Sequence, residues 1–482
     1  MRSILAFGKM SFQRFILIVC AAGFLAACES SGGPLGLTEQ QQLALGAREH
    51  PKIVSAFGGE IKDAELKAYV NGIVAKLMAA SDQPNMPIKT TVLDSPVVNA
   101  MALPGHVYAT RGLLALANTE AELAGVLGHE IGHIFERHTA ERVSRSNVAG
   151  LGAAVLGILT GDAGVYQLAS QGAQLYLLSF SRSQEYEADQ VGVRLLARAG
   201  YEPTAEADFL NSLNRWSNLE ARISGQTARP PEFLSTHPNT AERVRRAAAE
   251  AQVLNIPNAR IGRSAYLNSI DDLLYGDDPV RQGFVRGTTF YHPEIGMTFR
   301  VPDGMKLRNT PQSIVAQSQN AQMQFMGANS QNGPGALINA LSQQLQVNLG
   351  APRRINVNGK LGAYGGARAN SRSGPVDIQA FAIQWRGTQH FIFMWLTPSG
   401  QTRNLQGSIN ASIDSFREMR AADMNVPRAR KIDVRTVRSG DTVSSLAAQT
   451  RFDQARVDRF IVLNGLRDAS DLRTGQKVKL VK

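Results

Sequence analysis

Two histidines with a glutamate between them are the residues of this sequence that point most directly to chemistry. His129-Glu130-Ile131-Gly132-His133 has the spacing H-E-x-x-H. On a helix, His129 and His133 lie about 40° apart around the axis and roughly 6 Å apart along it, so both imidazoles can reach one cation. Zinc suits two imidazoles and one carboxylate, with a fourth position left for water. Glu130 can then act on that water as a general base.

The third ligand must come from another element, and a later acidic pair offers one. Glu185 and Asp189 are four residues apart, so on a helix both face the same side. Glu185 is the predicted third metal ligand. Asp189 is predicted to accept the free N–H of a ligand imidazole, in particular that of His129, because such a bond fixes the tautomer. The alternative is a pair of solvated helices that carry histidines and acids without a metal.

Capping and periodicity predict the elements that position these residues. Thr119 and Glu122 have capping-box spacing, which predicts the start of the H-E-x-x-H helix. Residues Ala64 to Met78 have the apolar period of a helix, whereas Lys89 to Leu93 and Val107 to Thr110 are strand candidates. We expect the second strand to border the cleft and to pair with an extended substrate.

The chain from residue 37 to 260 resembles the HtpX-like and BepA-like membrane-associated zinc endopeptidases, relatives of the CAAX prenyl protease. Five stretches carry the resemblance: Asn99-Ala100-Met101-Ala102-Leu103-Pro104-Gly105, Arg111-Gly112-Leu113, the H-E-x-x-H helix, Glu185-x-x-x-Asp189, and Ser235-Thr236-His237-Pro238 with Arg243. The resemblance implies a mainly helical gluzincin-type domain that binds one Zn²⁺ per chain through His129, His133 and Glu185. It also implies a place for His237 and Arg243 near the metal, so both join Glu130 as predicted catalytic residues.

His237 has two interpretations. In BepA-like members the equivalent histidine can occupy the fourth zinc position and hold the enzyme at rest, and the resemblance carries this hypothesis to His237. The alternative is a simple His-Pro turn before a helix. His106 follows Gly105, where relatives often carry another glycine, so no role is assigned to it. Four other histidines are predicted to be surface or packing residues: His50, His138, His292 and His390.

The N-terminus is predicted to be a targeting signal and not part of the fold. Residues 1–27 combine basic residues with an apolar run, Phe15 to Ala27, which is too short to span a bilayer unaided. The run ends in Leu25-Ala26-Ala27-Cys28, which resembles a lipobox and implies cleavage before Cys28 and lipidation of its thiol. Residues 28–36 would then be a flexible tether, and Glu29 favours the outer membrane by resemblance to bacterial lipoproteins. The alternative is a buried N-terminal helix.

Two further modules are predicted after the first domain. Residues 288–420 alternate in polarity, as in Phe381, Ile383 and Trp385, and resemble an α+β PsbP-like domain. Residues 434–482 resemble a LysM domain, a βααβ unit that binds N-acetylglucosamine chains; the alternative is a LysM-shaped module that contacts a protein. The resemblance rests on Ser439-Gly440-Asp441-Thr442, Leu463-Asn464-Gly465-Leu466 and Leu472-x-x-Gly475-Gln476. Residues 261–287 and the basic stretch 421–433 are predicted linkers, so the fold class is multidomain α+β.

Composition and charge limit the kinds of partner that the protein can have. Hydrophobic residues make up 43% and charged residues 19%, which is typical of globular chains. The net charge is +11, but no arginine-rich arm or aromatic–basic cluster indicates nucleic acid. The basic surface is either simply solvated or suited to anionic lipid and cell wall. Both cysteines, Cys20 and Cys28, lie within the first 28 residues, which excludes a disulfide framework. The stretch Val148 to Leu159 is too short for a span and is predicted to cover the cleft or dock a partner.

These predictions together describe a metalloendopeptidase of the bacterial cell envelope, anchored by lipid on the periplasmic face of the outer membrane. Its expected substrates are misfolded or unassembled periplasmic and outer-membrane proteins, and its expected second partner is peptidoglycan. Two alternatives stay open. The LysM-like module is also compatible with a cell-wall peptidase. A zinc site held closed is compatible with a chaperone or scaffold that does not cleave proteins.

Overall fold

The computed structural model describes residues 37–142, 179–224, 233, 236–238, 241–254, 256–310, 313–371 and 374–482. Three predicted features lie outside these ranges: the signal segment 1–27, the tether 28–36 with Cys28, and the stretch Val148–Leu159. No helix of the described ranges is both long enough and apolar enough to cross a membrane.

Two helices open the described chain, and each has a polar side chain at its start. Helix α1 (Glu39–Ala56) is preceded by Thr38, which forms a capping box with Gln41. Helix α2 (Ala64–Ala79) coincides with the predicted apolar period, and Asp63 caps it by accepting the Leu66 N–H. The buried side of α1 includes Leu45 and Ile53, and that of α2 includes Val70 and Leu77.

A three-stranded sheet comes next, made of β1 (Lys89–Leu93), β2 (Ala100–Leu103) and β3 (His106–Thr110). The strand order is β1-β3-β2, with β3 parallel to β1 and antiparallel to β2. The prediction that β3 borders the cleft is therefore wrong, because both of its edges are already paired. The outer edge of β1 is bonded by residues 59–61, through Ile61 N to the Val92 carbonyl, so β2 is the edge strand of this sheet among the described residues.

Among the described residues, the helices that follow this sheet are α3 (Arg111–Leu116), α4 (Glu120–Phe135), α5 (Arg182–Arg198), α6 (Ala205–Ser224) and α7 (Ala241–Leu254). Thr119 caps α4 by accepting the Glu122 N–H, as the spacing predicts, whereas the Glu122 carboxylate accepts the Asn118 N–H. Every residue from Glu120 to Ile134 is buried. The H-E-x-x-H helix thus passes through the interior of the domain, between β2 and α5, and is not a solvated helix.

The predicted linker 261–287 is largely structured. It contains helix α8 (Arg263–Ser269) and strands β4 (Leu274–Tyr275) and β5 (Phe284–Arg286). Tyr266 and Leu267 are fully buried in the same core as α4, and the Tyr266 hydroxyl donates to the Leu114 carbonyl. This segment completes the core of the first domain. Its elements could not be predicted from the sequence because they are short and of mixed polarity.

The second domain is an α+β unit in which helices cover a large antiparallel sheet. Its strands are β6 (Thr289–His292), β7 (Met297–Arg300), β8 (Lys306–Asn309), β9 (Ser313–Gln317), β10 (Gln322–Asn329), β11 (Arg353–Val357), β12 (Lys360–Ser371), β13 (Gly374–Arg386), β14 (Gln389–Pro398) and β15 (Arg417–Glu418). Its helices are α9 (Gly333–Leu345) and α10 (Thr402–Asp414). The seven-stranded sheet has the order β11-β12-β13-β14-β10-β9-β8, and β15-β7-β6-β5 form a second sheet.

A long hairpin lies at the centre of this domain, where the sequence alternates. Strands β13 and β14 pair antiparallel with Phe381 opposite Phe393 and Ile383 opposite Phe391. These side chains belong to an aromatic core on one face of the sheet, whereas Ile378 and Met394 belong to a second core under α9 on the other face. The alternation that predicted the strands therefore reflects two buried faces and not one wet face.

The last module has the predicted βααβ order: β16 (Arg430–Thr436), α11 (Val443–Ala448), α12 (Arg456–Leu463) and β17 (Lys477–Val481). Strands β16 and β17 pair antiparallel, and β4 of the first domain extends their sheet through β16. Phe452, Leu463 and Val481 join the hydrophobic core of the first domain. The module is thus docked on the first domain and does not sit at the end of a free linker.

Candidate metal centre

Four side chains from three separate parts of the first domain converge on one point. His129 and His133 come from α4, Glu185 from α5, and His237 from the segment before α7. Their nearest atoms are Nε2 of His129, Nε2 of His133, Nδ1 of His237 and a carboxylate oxygen of Glu185, and all four residues are buried. The structure therefore brings together the three predicted ligands and the predicted latch histidine.

The spacing of these donors fits a tetrahedrally coordinated metal ion. The Nε2 atoms of His129 and His133 are 3.1 Å apart, and Nδ1 of His237 lies 3.2 and 3.3 Å from them. Glu185 Oε1 lies 3.0 Å from His237 Nδ1 and 3.5 Å from His133 Nε2. Metal–nitrogen bonds of about 2.0–2.1 Å in a tetrahedron place neighbouring donors about 3.3 Å apart. One shared proton satisfies one pair of imidazole nitrogens, whereas a cation satisfies all the lone pairs that meet here.

The remaining nitrogens of the two α4 histidines are held by partners outside the cluster. His129 Nδ1 lies 2.9 Å from Asp189 Oδ1, the contact that the spacing of α5 predicts. His133 Nδ1 lies 3.0 Å from Nδ1 of His138, whose Nε2 lies 2.9 Å from Glu187 Oε2. With Nδ1–H of each ring pointing outwards, both Nε2 lone pairs face the cluster.

His138 has a role that sequence reasoning missed. It was expected to be a surface or packing residue, but it is 2% exposed and touches a ligand candidate directly. Its place five residues after His133, just beyond the end of α4, was the available signal. A histidine at that position can fold back onto the last turn of the helix that carries the site.

Arg243 neutralises the acidic side of the centre. Its Nε and Nη2 donate to the two oxygens of Asp189 at 2.9 and 2.6 Å, and its Nη1 contacts Glu185 Oε2. Burial would raise the pKa of Asp189, but hydrogen bonds from Arg243 and from His129 outweigh it and hold that pKa below its usual value. Arg243 thus keeps two neighbouring carboxylates ionised in a buried place, where a metal needs charged ligands.

Glu130 lies beside the cluster without joining it. It is 1% exposed, and its Oε1 is 3.5 Å from Nε2 of His237. Burial raises the pKa of Glu130 above that of an ordinary glutamate. A carboxylate with a raised pKa accepts a proton more readily, which is the property a general base needs.

Glu206 is a buried acid of the site that the sequence analysis did not single out. Its Oε1 lies 3.6 Å from His129 Nδ1, and burial together with Asp189 raises its pKa to about 8. A signal was present in α6, because Glu206 shares the helical spacing of the buried residues Phe209, Leu210 and Leu213. An acid on an otherwise apolar helix face is a candidate for a buried site.

Close packing of α4 on α5 allows the three ligands to meet. A Cβ on Gly132 would lie 2.9 Å from the Ala188 carbonyl oxygen. A Cβ on Gly192 would lie 3.0 Å from the backbone nitrogen of His129 and 2.7 Å from Glu206 Oε2. Any larger side chain at these two positions would push the helices apart and separate Glu185 from the histidines.

The other histidines lie outside the centre. His50 and His106 stack with ring centroids 4.4 Å apart, and His50 Nδ1 lies 2.9 Å from the Tyr108 hydroxyl. His292 is half-buried and His390 is buried, both in the second domain. None of these four residues contacts the metal cluster among the described contacts.

Comparison with known families finds two matches in this chain. Residues 64–251 match the family described as Peptidase family M48, and residues 436–481 match the LysM domain. The chain thus contains a peptidase family M48 domain and a LysM domain. The resemblance predicted from the sequence, to a zinc metalloprotease family and to LysM, is confirmed by these two matches.

Similar curated proteins agree with this class. The beta-barrel assembly-enhancing protease of Yersinia pestis is 31% identical over 219 residues, or 43% of this chain and 43% of that protein. The protein of the same name from Escherichia coli K12 is 31% identical over 37% of each chain. The mitochondrial metalloendopeptidase OMA1 of Schizosaccharomyces pombe is 33% identical over 38% of this chain and 54% of its own length. The chain thus spans about half or less of the length of these relatives.

Among solved structures, the cyanobacterial PsbP protein (CyanoP) of Synechocystis is similar to part of this chain. The match covers 28% of this chain and 95% of that one, with 11% identity and a TM-score of 0.24. A TM-score of this size does not establish a shared fold, so the PsbP-like assignment of residues 288–420 stays a prediction.

Proposed function

We propose that this chain is a zinc endopeptidase of the bacterial cell envelope that cleaves misfolded or unassembled periplasmic and outer-membrane proteins. The observation that carries the proposal is the buried cluster of His129, His133, Glu185 and His237, whose spacing fits zinc. Two imidazoles and a carboxylate are a typical donor set of catalytic zinc. Bound zinc would supply Lewis-acid polarisation of the scissile carbonyl.

The residues of this chain supply the proton transfers and the orientation. Glu130 takes a proton from the attacking water on a carboxylate oxygen and returns it to the leaving amide nitrogen. Burial raises the pKa of Glu130, which makes its carboxylate a better proton acceptor. Asp189 orients His129, and Arg243 holds Asp189 and Glu185 in place through its fork of donors.

His237 gives this centre a resting state. Its Nδ1 stands where a substrate or a water would otherwise approach, at 3.2 and 3.3 Å from the two histidine nitrogens. Catalytic zinc sites keep one position open, whereas closed sites have four protein ligands. We therefore assign His237 as a removable fourth ligand that closes the site until a substrate displaces it.

Strand β2 is the proposed place for the substrate backbone. It is at the edge of the sheet and packs against α4, the helix that carries the histidines. An extended peptide can add to such an edge through main-chain hydrogen bonds. This mode needs a segment without its own secondary structure, which favours unfolded or unassembled proteins over compact ones.

The location in the envelope rests on the two ends of the chain. Lipidation of Cys28 after cleavage of residues 1–27 would anchor the protein on the periplasmic face of the outer membrane. The LysM domain at residues 436–481 supports peptidoglycan as a second partner. This match is also the observation that favours a cell-wall peptidase, the second candidate function. A closed centre with His237 favours the third, a latched chaperone.

One set of measurements separates the three functions. Wild type and Glu130→Gln, each loaded with one zinc per chain, are incubated with casein and, separately, with purified peptidoglycan. An envelope protease cleaves casein, releases no muropeptides and loses at least about a thousandfold of its rate in Glu130→Gln. Muropeptide release would favour the cell-wall peptidase. Suppression of aggregation without cleavage, unchanged in Glu130→Gln, would favour the chaperone.

A further inference from the structure

A second candidate site lies where the LysM domain docks on the peptidase domain. A cavity of about 400 Å³ opens between α3 and α6 on one side, β4 below, and the LysM residues before and within α12 on the other. No residue that lines it belongs to the metal centre. The volume is within the usual range of small-ligand sites, about 300–1,000 Å³.

The polar feature of this cavity is a buried guanidinium. Arg111 is 2% exposed and lines the cavity. Its Nε donates to Asp94 at 2.8 Å, and its Nη1 donates to the carbonyls of Leu274 and Gly276 at 2.7 and 2.8 Å. Its Nη2 is buried and has no acceptor among the described residues. A buried donor on a charged group is costly to leave unpaired, so an acceptor is expected at this point.

A second arginine of the cavity is also available. Arg430 comes from β16, at the start of the LysM domain, and its side chain is half-buried against Gly276. No carboxylate of the described residues lies within ion-pair distance of it, whereas the third lining arginine, Arg459, is held by both oxygens of Glu220 at 2.5 and 3.2 Å. Nη2 of Arg111 and the side chain of Arg430 therefore have donors without an acceptor among the described residues, whereas the charge of Arg459 is already paired with Glu220.

Much of the wall around these two arginines is apolar, formed by Val98, Leu116, Trp216, Ile223, Phe452 and Leu463. The carboxylates of Glu220 and Asp453 also line the cavity. A ligand for this cavity must combine a planar anion, which arginine binds best through two oxygens, with an apolar group directly beside it. Carboxylates of Asp and Glu side chains do not fit this description, because the polar backbone follows them closely. A chain that ends in an apolar residue does fit it.

We propose that this cavity binds the free C-terminus of a polypeptide whose last residue is apolar. The terminal carboxylate accepts from Nη2 of Arg111 and from Arg430, and the last side chain packs against Trp216 and Phe452. Since the LysM domain supplies Arg430 and Phe452 and the peptidase domain supplies Arg111 and Trp216, the site requires both domains in their docked arrangement. Binding at this site does not depend on proteolysis.

The test is equilibrium binding of a dye-labelled octapeptide by the full mature chain, followed by fluorescence anisotropy. The peptide ends in Leu-Phe with a free carboxylate, its twin ends in the carboxamide, and mass spectrometry verifies that both stay intact. We expect the acid to bind at least tenfold more tightly than the amide. Arg430→Gln should remove most of that preference. Arg435→Gln, the matched control with the same charge change on the same strand, should stay within twofold of wild type.

Each contrary result overturns the proposal. Equal binding of acid and amide would remove the carboxylate from the recognition. Wild-type affinity in Arg430→Gln would place the peptide elsewhere, and this outcome does not depend on whether an Arg111 variant folds. Absence of binding at millimolar peptide would leave the cavity without this ligand. If decanoate displaces the peptide and binds more tightly than the peptide does, the site is assigned to an acyl chain instead.

Discussion

Replacing Lys479 with methionine tests whether the LysM domain is a docked part of the peptidase. Lys479 is fully buried, and its Nζ donates to the carbonyls of Ala115, Leu116 and Ala117 at 2.8, 3.1 and 2.7 Å. These carbonyls are at the C-terminal end of α3, which has no further helical turn to satisfy them. The ammonium therefore fills the end of a helix in the neighbouring domain, where the helix dipole also favours a cation.

The expected loss follows from these three hydrogen bonds. Methionine keeps the length and most of the volume of lysine, so the change removes the ammonium and leaves the packing nearly intact. The Leu116 carbonyl keeps a second donor, Asn118 Nδ2 at 3.2 Å, whereas the carbonyls of Ala115 and Ala117 lose the ammonium. A buried carbonyl left without a partner costs about 1–3 kcal/mol. Removing the desolvation cost of the charge offsets part of this sum. We expect the free energy of unfolding of the docked arrangement to fall by about 2–4 kcal/mol.

Urea denaturation followed by tryptophan fluorescence measures this loss. Trp216 lines the contact with the LysM domain, whereas the other two tryptophans, Trp385 and Trp395, are buried in the second domain. The control is Lys477→Met, two residues away on the same strand, because Lys477 makes a single side-chain hydrogen bond to Asn268 at a more exposed position. That variant should lose less than about 1 kcal/mol.

Equal midpoints for the two variants would refute the reasoning. They would mean that the three carbonyls are satisfied without Lys479, and hence that the LysM domain is not held as the structure has it. A loss confined to Lys479→Met, with an early change in the Trp216 signal, supports undocking before unfolding.

Three further outcomes follow from the site and its surroundings. His237→Ala should raise the rate of casein cleavage several-fold at one zinc per chain, and an unchanged rate would contradict the latch. His138→Phe should lower zinc affinity about 10–100-fold in competition with a chelator, because the His133 ring loses the nitrogen that fixes its orientation. A zinc affinity equal to that of wild type would contradict this orienting role. Burial and the neighbouring His50 lower the pKa of His106 to about 4, below the ordinary value of about 6.5. The unfolded chain therefore binds more protons between these values, and stability falls as pH drops from 6.5 towards 4. For a half-buried residue we expect a loss of about 1 kcal/mol by pH 5, absent in His106→Gln, and parallel melting curves for both proteins would contradict it.

The chemistry of the centre could be predicted from the sequence because it depends on local spacing. His129, Glu130 and His133 lie within one helix, and Glu185 and Asp189 within another, so the helical period alone puts each group on one side. His237 was different, because no period connects it to α4. It was assigned through its resemblance to known proteases, and the structure brings it to within 3.3 Å of both histidine nitrogens.

The order of the first sheet could not be predicted, and the reason is burial. Strands β2 and β3 have four and five residues, and every residue of β2 is buried. A short buried strand has no alternation to distinguish its two faces, so neither its partners nor its position at the edge is visible in the sequence. The neighbouring strand β3 was therefore expected at the cleft, although it is central.

Docking of the LysM domain was hidden for a related reason. In β17 the sequence Lys477-Val478-Lys479-Leu480 alternates, which in an isolated module predicts two lysines on a solvated face. The same face meets the end of α3 in the full chain, and Lys479 becomes fully buried. The pattern describes the module alone, whereas burial of Lys479 depends on a domain more than 300 residues earlier in the sequence. A wall-binding assay on the isolated LysM domain would thus expose a face that the whole protein keeps covered, so peptidoglycan binding has to be measured on the full chain.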